Sequence, residues 1–490
     1  MKKALLILLL VISATALRAA NPGAQRVVDA VRSLEPFRSS VLGVLAVTDR
    51  GDTVASFCPS QRMNPASALK LVSTGLALNE LGADFRYKTS LFYSGQLGED
   101  GSLEGDLFIV GGGDPTLASN DSIALPADSL FAGWKRMLDE AGIRRIEGDI
   151  IGDGSFFDGE FEHPNWQYQD LGTYYATGSS GLNFYRNIQE IWVEPGNFEG
   201  DSVSCMAVYP LTPWISYSNI STTGPAGSGD KLYLYNSPLS EKAIMTGTFA
   251  LDRRAKIEEC SNKFPARTCA HYFREYLLSK GMEVCGKAKG IPAGSKVKAA
   301  AEEKILVGES LSPTLRQISK ITLWRSDNLY AEAALRIMGK QLTGSASYNA
   351  SRQAALDALG RLGLDTGKIK IDDGSGLSRE NFVSPGFFCD FLLAMLSSPA
   401  FPDFSASIGS PGQGKYQRRL AGENESLKKR ILYKSGSMGG VQCFCGYVLP
   451  SPGKGGETIA FAVMLNNCTA PASDYMEQID RIIAAIAKEN

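Results

Sequence analysis

Histidine is almost missing from this chain: His163 and His271 are the only two in 490 residues. A zinc hydrolase draws two or three histidines to its metal, and neither residue stands in an H-E-x-x-H pattern. A Ser-His-Asp hydrolase would need one of them as its base, yet no G-x-S-x-G elbow occurs. Both read as surface or internally satisfied polar residues, so a serine hydrolase built from this sequence has to take its base from lysine. Excess charge is missing too. With 50 Lys and Arg against 52 Asp and Glu the formal net charge is -2, which gives no electrostatic reason to expect nucleic acid or anionic lipid as a partner.

Long apolar runs are also absent. The run at residues 4–12 is too short for a comfortable membrane span; it follows Lys2 and Lys3 and precedes Ala14, Ala16, Ala19 and Ala20. That is the layout of a secretory signal peptide. Residues 1–20 are expected to be removed, leaving an exported, soluble chain with no integral membrane span. No cysteine follows the run to carry a lipid anchor. Export permits disulfides, but the nine cysteines are an odd number, and at least one stays unpaired within a monomer. Cys260 and Cys269 bracket a short loop and are the expected local pair, whereas Cys443 and Cys445 share one face of a strand and do not bridge each other. At 490 residues the chain is too long for one ordinary core, and two or three domains are expected.

The organising stretch is Asn64-Pro65-Ala66-Ser67-Ala68-Leu69-Lys70. Asn64 suits an N-cap, Pro65 the first helical position and Gly82 a left-handed stop, so a helix is expected from residue 64 to about 82. On that helix Lys70 stands one turn above Ser67, its amine within reach of the hydroxyl. Serine becomes nucleophilic when a base takes its proton, and lysine can be that base once burial or nearby cations lower its pKa. Leu69, Leu71, Val72, Leu76 and Leu78 cover most of the helix circumference, which implies a buried helix whose first turn floors a cleft. Ser-x-x-Lys alone is common. Ser228/Lys231, Ser295/Lys298, Ser426/Lys429 and Ser451/Lys454 repeat it without a comparable helix start, so Ser67 needs partners elsewhere.

The chain opens with a helix at 25–34, a buried strand at 41–47 and a second strand at 53–57 after the Asp49-Arg50-Gly51-Asp52 turn. From about Arg86 to Ala300 the texture changes to short strands broken by Gly, Asp and Pro, with a helix near 130–141, which reads as inserted β-rich material. Gly111-Gly112-Gly113 reads as a tight turn, because no Lys-Ser/Thr follows it. The aromatic stretch Trp166, Tyr168, Tyr174, Tyr175, Phe184 and Tyr185 reads as core in preference to cleft lining. Helical texture returns at Ser312-Pro313, the expected cap and first turn of a helix running to Asn328, and helices follow at 329–338, 348–362 and 385–396. Strands at 430–437, 441–449 and 458–465 and an amphipathic terminal helix around 479–486 close the chain. The first and last parts, 21–85 and 304–490, therefore read as one α/β (α+β) domain, an antiparallel sheet flanked by helices, split by residues 86–303.

Three phrases stand in chain order: Ser67-x-x-Lys70 at a helix start, Ser326-Asp327-Asn328 in an interhelical loop, and Lys434-Ser435-Gly436 on a strand. Each is weak alone, and Ser347-Tyr348-Asn349 repeats S-x-N by chance. In this order and these contexts they resemble the S-x-x-K, S-D-N and K-T-G set of class A β-lactamases and penicillin-binding proteins. The separation of Lys70 from Ser326 is far longer than β-lactamases allow. With the Gly-Gly-Gly-Asp-Pro turn at 111–115 and the phrase Asp373-Gly374-Ser375-Gly376-Leu377-Ser378-Arg379, it makes the chain similar to the class C low-molecular-mass penicillin-binding proteins over essentially its whole mature length.

That resemblance implies a penicillin-binding/β-lactamase-like transpeptidase fold with β-rich inserts, a periplasmic address and no cofactor or metal. It implies D-alanyl-D-alanine carboxypeptidase or endopeptidase action on peptidoglycan stem peptides, inhibited by β-lactams. By the same resemblance Ser67 attacks the carbonyl between two D-alanines, Lys70 is the base for acylation, Ser326 and Lys434 relay a proton to the leaving amine, and Asn328 bonds the acyl-side amide. Backbone N–H groups of Ser67 and Ser437 form the oxyanion hole, and Ser435 and Lys434 hold the terminal carboxylate on the Gly436 strand. Asp327 either touches substrate or caps the helix after it. The sequence departs from the family at two points: Ser435 stands where Thr is common, and residues 409–419 read Gly412-Gln413-Gly414-Lys415-Tyr416 where relatives usually carry a Gly-Thr-Leu phrase. The alternatives on this scaffold are a β-lactamase, which the insertion opposes, an esterase or D-aminopeptidase, and a silent wall-binding protein, which the complete motif set opposes.

Overall fold

The computed structural model describes residues 22–295, 304–451, 453 and 455–489. The expected signal segment, residues 1–20, lies outside them. The central sheet joins the two ends of the chain. Its order is Thr53–Phe57, Val41–Thr48, Ile459–Asn466, Val441–Val448, Ile431–Met438, with every neighbour antiparallel. Every residue of Val441–Val448 and Ile459–Asn466 is buried, because helices cover both faces.

The two-residue period of a strand sorts these side chains into two cores. Cys443, Cys445, Tyr447, Ala460, Ala462 and Met464 face the helices Lys70–Leu81 and Pro385–Leu396. Phe444, Phe461, Val463 and Leu465 face the helices Pro22–Arg32 and Ala472–Lys488. Ile431–Met438 is the last strand of the sheet, so its outer edge is free to face the Ser67 turn.

Residues between these halves build separate sheets. The chain leaves along Lys88–Tyr93 and returns along Ile305–Leu311, which pair antiparallel at one side of a five-stranded sheet. Leu107–Gly111, Ile150–Asp153 and Ala288–Ile291 complete it, and Ala127–Glu140 packs on it. A smaller unit carries the sheet Ser204–Tyr209, Ile188–Glu194, Lys256–Ser261 and the sheet Ser216–Asn219, Ser240–Thr246, Tyr233–Ser237 around its own core.

Several expectations need correction. The material read as β-rich also contains the 15-residue helix Pro265–Ser279, whose Ala266, Cys269, Phe273 and Leu277 form a stripe in the insert core. Cys260 and Cys269 are not bridged, and all nine thiols are free. Cys260 faces the small-sheet core and Cys269 the helix-covered one, so the two side chains point into different packing units. The aromatic stretch divides: Trp166 and Phe184 are buried, whereas Tyr168 and Tyr174 are exposed, and Tyr174 and Tyr175 line a cleft. The helix expected to cap at Ser312 starts at Leu315. Thr314 is its N-cap, and Gln317 reaches back in a capping box.

Candidate active site

The Ser67 helix begins as the tight 3-10 turn Ala66–Leu69 and becomes α-helical over Lys70–Leu81, ending at Gly82 with φ 82°. Asn64 is not its N-cap; its side-chain Oδ1 instead accepts from the Ala66 amide at 2.9 Å and bends the chain into that turn. Ala66 takes a left-handed φ of 45° just before Ser67. The turn presses on the Lys434 strand: a Cβ added to Gly436 would run into the Pro65 carbonyl and lie 3.1 Å from the Ser67 amide. Glycine follows Lys434-Ser435 because nothing larger fits between the strand and the Ser67 turn.

Lys70 is fully buried. Its Nζ donates to Ser67 Oγ at 2.9 Å, to Asn328 Oδ1 at 2.6 Å and to the Ser375 carbonyl at 2.7 Å. Burial is the main reason its pKa falls to about 7, and the Lys415 cation adds to the fall while Asp373 and Glu332 oppose it. A neutral lysine beside a serine hydroxyl is therefore populated near pH 7.

The second phrase sits in a π turn, Thr322–Ser326, between the helices Leu315–Ile321 and Asn328–Thr343. Ser326 has φ 63°, a left-handed conformation that a serine holds only when its surroundings fix it. Its Oγ accepts from Lys434 Nζ at 2.8 Å. Asp327 caps the next helix by accepting from the Tyr330 amide at 3.1 Å. The insert supplies the remaining anchors of this loop. Arg186 pairs with Asp327 at 3.1 Å, Asp121 pairs with Arg325, and the Tyr175 carbonyl accepts from Asn328 Nδ2 at 2.7 Å. With Lys70 on Oδ1 and Tyr175 on Nδ2, the Asn328 amide is held at both ends, leaving one N–H for a ligand.

Lys434 is fully buried on its edge strand and also donates to the Ser435 carbonyl at 2.6 Å. Burial, followed by the Lys415 and Lys70 cations, holds it well below the usual lysine range. Ser435 is tethered on both sides of its Cα. Its amide donates to the Tyr416 hydroxyl at 3.0 Å, and its Oγ shares a hydrogen bond with that hydroxyl at 3.0 Å. Ser437 is exposed and lines the cleft beside Met438.

The phrase Asp373 to Arg379 starts buried behind Lys70, at Asp373 to Gly376, and ends at an exposed Arg379 that lines the cleft. Glu332 accepts from the Gly374 amide at 3.0 Å and the Ser375 amide at 2.7 Å, which fixes the carbonyl that Lys70 touches. Asp373 accepts from Gly376, Ser378, Asn381 and the Trp166 indole. Gly376, with φ 80°, passes so close to the Ala66 carbonyl that a Cβ would collide with it. Burial and the nearby Asp373 push the Glu332 carboxyl up. His163 is buried 3.6 Å from Asp372 and accepts from the Asn165 amide at 3.2 Å, a satisfied residue behind the site. Sequence reasoning missed Glu332, Arg186 and the Tyr175 carbonyl, whose only signal is spatial.

These groups open onto a cleft of about 650 Å³ that holds Ser67, Ser326, Asn328 and Ser437. Its far wall comes from the insert, through Gln169, Asp170, Tyr174, Tyr175 and Glu259. Among the described residues, no group of three or more His, Cys, Asp or Glu is arranged to hold a metal ion. No described helix is long and apolar enough to cross a membrane.

A family-wide profile for the D-Ala-D-Ala carboxypeptidase 3 (S13) family matches residues 25–486. The chain belongs to the D-Ala-D-Ala carboxypeptidase 3 (S13) family. It is similar to the D-alanyl-D-alanine carboxypeptidase of Actinomadura sp. (strain R39), 28% identical over 91% of this chain and 81% of that protein. It is also similar to the D-alanyl-D-alanine carboxypeptidase DacB of Haemophilus influenzae, 22% identical over 88% of this chain and 86% of that protein. The crystal structure of penicillin binding protein 4 from Haemophilus influenzae shares its fold, with a TM-score of 0.80 at 21% identity, covering 94% of this chain and 98% of that one. The resemblance read from the three phrases, their wide spacing and the Asp373 to Arg379 phrase thus holds, and this S13 protein is a serine-type D-alanyl-D-alanine carboxypeptidase.

Proposed function

We propose that Ser67 is the acylating nucleophile and that neutral Lys70 takes its proton as Oγ attacks the carbonyl between two D-alanines. The Oγ–C bond forms, the peptide C–N bond breaks, and the departing D-alanine amine receives a proton through Ser326 and Lys434. Water then attacks the ester, releasing the shortened peptide and returning the proton to Ser67. The Ser67 and Ser437 amides stabilise the oxyanion, and Asn328 takes the acyl-side amide with its remaining N–H. The observation that carries this reading is the 2.9 Å contact between Ser67 Oγ and a buried Lys70 whose pKa is lowered to about 7.

On this reading the substrates are peptidoglycan stem peptides ending in D-Ala-D-Ala, and β-lactams trap the same serine. Residues 21–85 and 304–490 form the catalytic unit, and 86–303 is the insertion that walls its cleft. The chain is exported by its first 20 residues to the periplasm, where that substrate lies. Endopeptidase action on crosslinked peptides is a second reading, favoured by the insert residues Gln169, Asp170 and Tyr174 that line the same cleft as Ser67. The test is release of D-alanine from an acyl-D-Ala-D-Ala peptide by the wild-type protein and by Ser67→Ala. The reading expects release by the first alone, and equal release by both would overturn it.

A further inference from the structure

The segment that replaces the Gly-Thr-Leu phrase of relatives brings a third lysine to the site. Gly414–Tyr416 is a single 3-10 turn wedged between the Ser326 loop and the Lys434 strand. A Cβ at Gly414 would lie 3.8 Å from the Trp324 ring on one side. On the other side Tyr416 is buried, its ring 4.7 Å from that of Tyr433 and its hydroxyl on Ser435 at 3.0 Å. Lys415 lies between these two anchors. Its amine stands over the Tyr416 ring at 5.0 Å, near enough to Lys434 for the two amines to bear on each other's charge.

Charge balance at this end of the cleft is unusual. Lys70 has Asp373, Glu332 and Asp327 near enough to offset its charge. Among the described residues no carboxylate is within ion-pair distance of Lys415 or Lys434, and none is among the largest influences on either amine. The residue as a whole is exposed, yet its amine end has lost enough water for burial to lower its pKa to about 8. Two amines with no paired carboxylate, one on the Ser435 carbonyl and the other over the Tyr416 ring whose hydroxyl holds Ser435, make a receptor for an anion from outside the chain.

We propose that Lys415 is a specificity-determining residue that receives the free carboxylate at the C-terminus of the substrate, alongside Ser435. The inference rests on the reading of Ser67 as the nucleophile, because that reading puts the leaving residue at the Lys434 end of the cleft. A bound carboxylate supplies the missing negative charge. Chains that end at the second D-alanine are then favoured over those whose terminus is amidated or continues.

The test compares kcat/KM for an acyl-D-Ala-D-Ala peptide and for its C-terminal amide in wild type, Lys415→Met and Lys415→Arg, each checked for an unchanged thermal midpoint. Any general effect on the nucleophile cancels in the acid-over-amide ratio. The expected result is a fall in that ratio of about tenfold or more in Lys415→Met, with most of it restored by Lys415→Arg. An unchanged ratio, or a fall that arginine does not restore, overturns the proposal. Acylation by benzylpenicillin, read as an intact-mass adduct, separates the two levels of claim. If wild type and Lys415→Met both form the Ser67 adduct and the ratio does not move, only the Lys415 proposal fails. If wild type forms none, the nucleophile reading fails and the proposal with it.

Discussion

Lys70 Nζ stands 2.9 Å from Ser67 Oγ, and burial, more than any neighbouring cation, brings its pKa to about 7. The neutral form grows as pH rises through that value, so acylation should follow an acidic limb. Below about pH 7 the rate is expected to fall tenfold per unit. Lys415 also lowers the Lys70 pKa, so Lys415→Met should move the limb to higher pH. Stopped-flow acylation rates with a chromogenic β-lactam between pH 5 and 9 check both statements.

The same lysine costs stability in a pH-dependent way. An unfolded lysine binds its proton up to its ordinary value near 10.5, whereas folded Lys70 gives it up at about 7. The penalty is complete below pH 7 and fades as pH rises between the two values. Lys70→Met should abolish acylation, and its stability relative to wild type should improve by on the order of 2 kcal/mol from pH 9 to pH 6. Urea unfolding of both proteins at the two pH values measures this difference.

Arg186 reaches from the insert to Asp327, and both side chains are nearly closed to solvent. Removing one partner leaves a buried charge, so Arg186→Ala should lose about 3–5 kcal/mol. It should also slow acylation, measured below the new melting temperature, because the strained Ser326 loop loses an anchor. A loss of stability with an unchanged acylation rate would show that the loop holds its shape without the insert.

Gly436 leaves no room for a methyl group against the Pro65 carbonyl and the Ser67 amide. Gly436→Ala is expected to cost about 1–3 kcal/mol by overpacking and to slow acylation by displacing the Ser67 turn. Differential scanning fluorimetry and the acylation rate report the two effects separately.

Local chemistry made much of this molecule legible in its sequence. The Ser67 helix, its Gly82 stop, the strand at 53–57 and the helix Pro385–Leu396 follow from caps, turn residues and apolar periodicity that act within a few positions. The same signals misled where two residues competed for one role, as Ser312 and Thr314 did; Ser312 instead takes the Tyr87 amide at 2.9 Å, a partner far away in the chain. Glu332 and Arg186 could not be found because their roles depend on contacts across long separations, to Ser375 and Asp327. Lys415 was visible as a departure from a family phrase, but only the packing of Gly414 on Trp324 and Tyr416 on Ser435 gives that departure a place beside Lys434.

The most direct test of the account is the intact mass of the protein after incubation with benzylpenicillin, for wild type and Ser67→Ala. The account predicts one adduct of the mass of the drug on wild type, mapped by peptide digestion to Ser67, and none on the variant. An adduct that persists in Ser67→Ala, or a wild-type protein that neither gains mass nor consumes the drug, would contradict it.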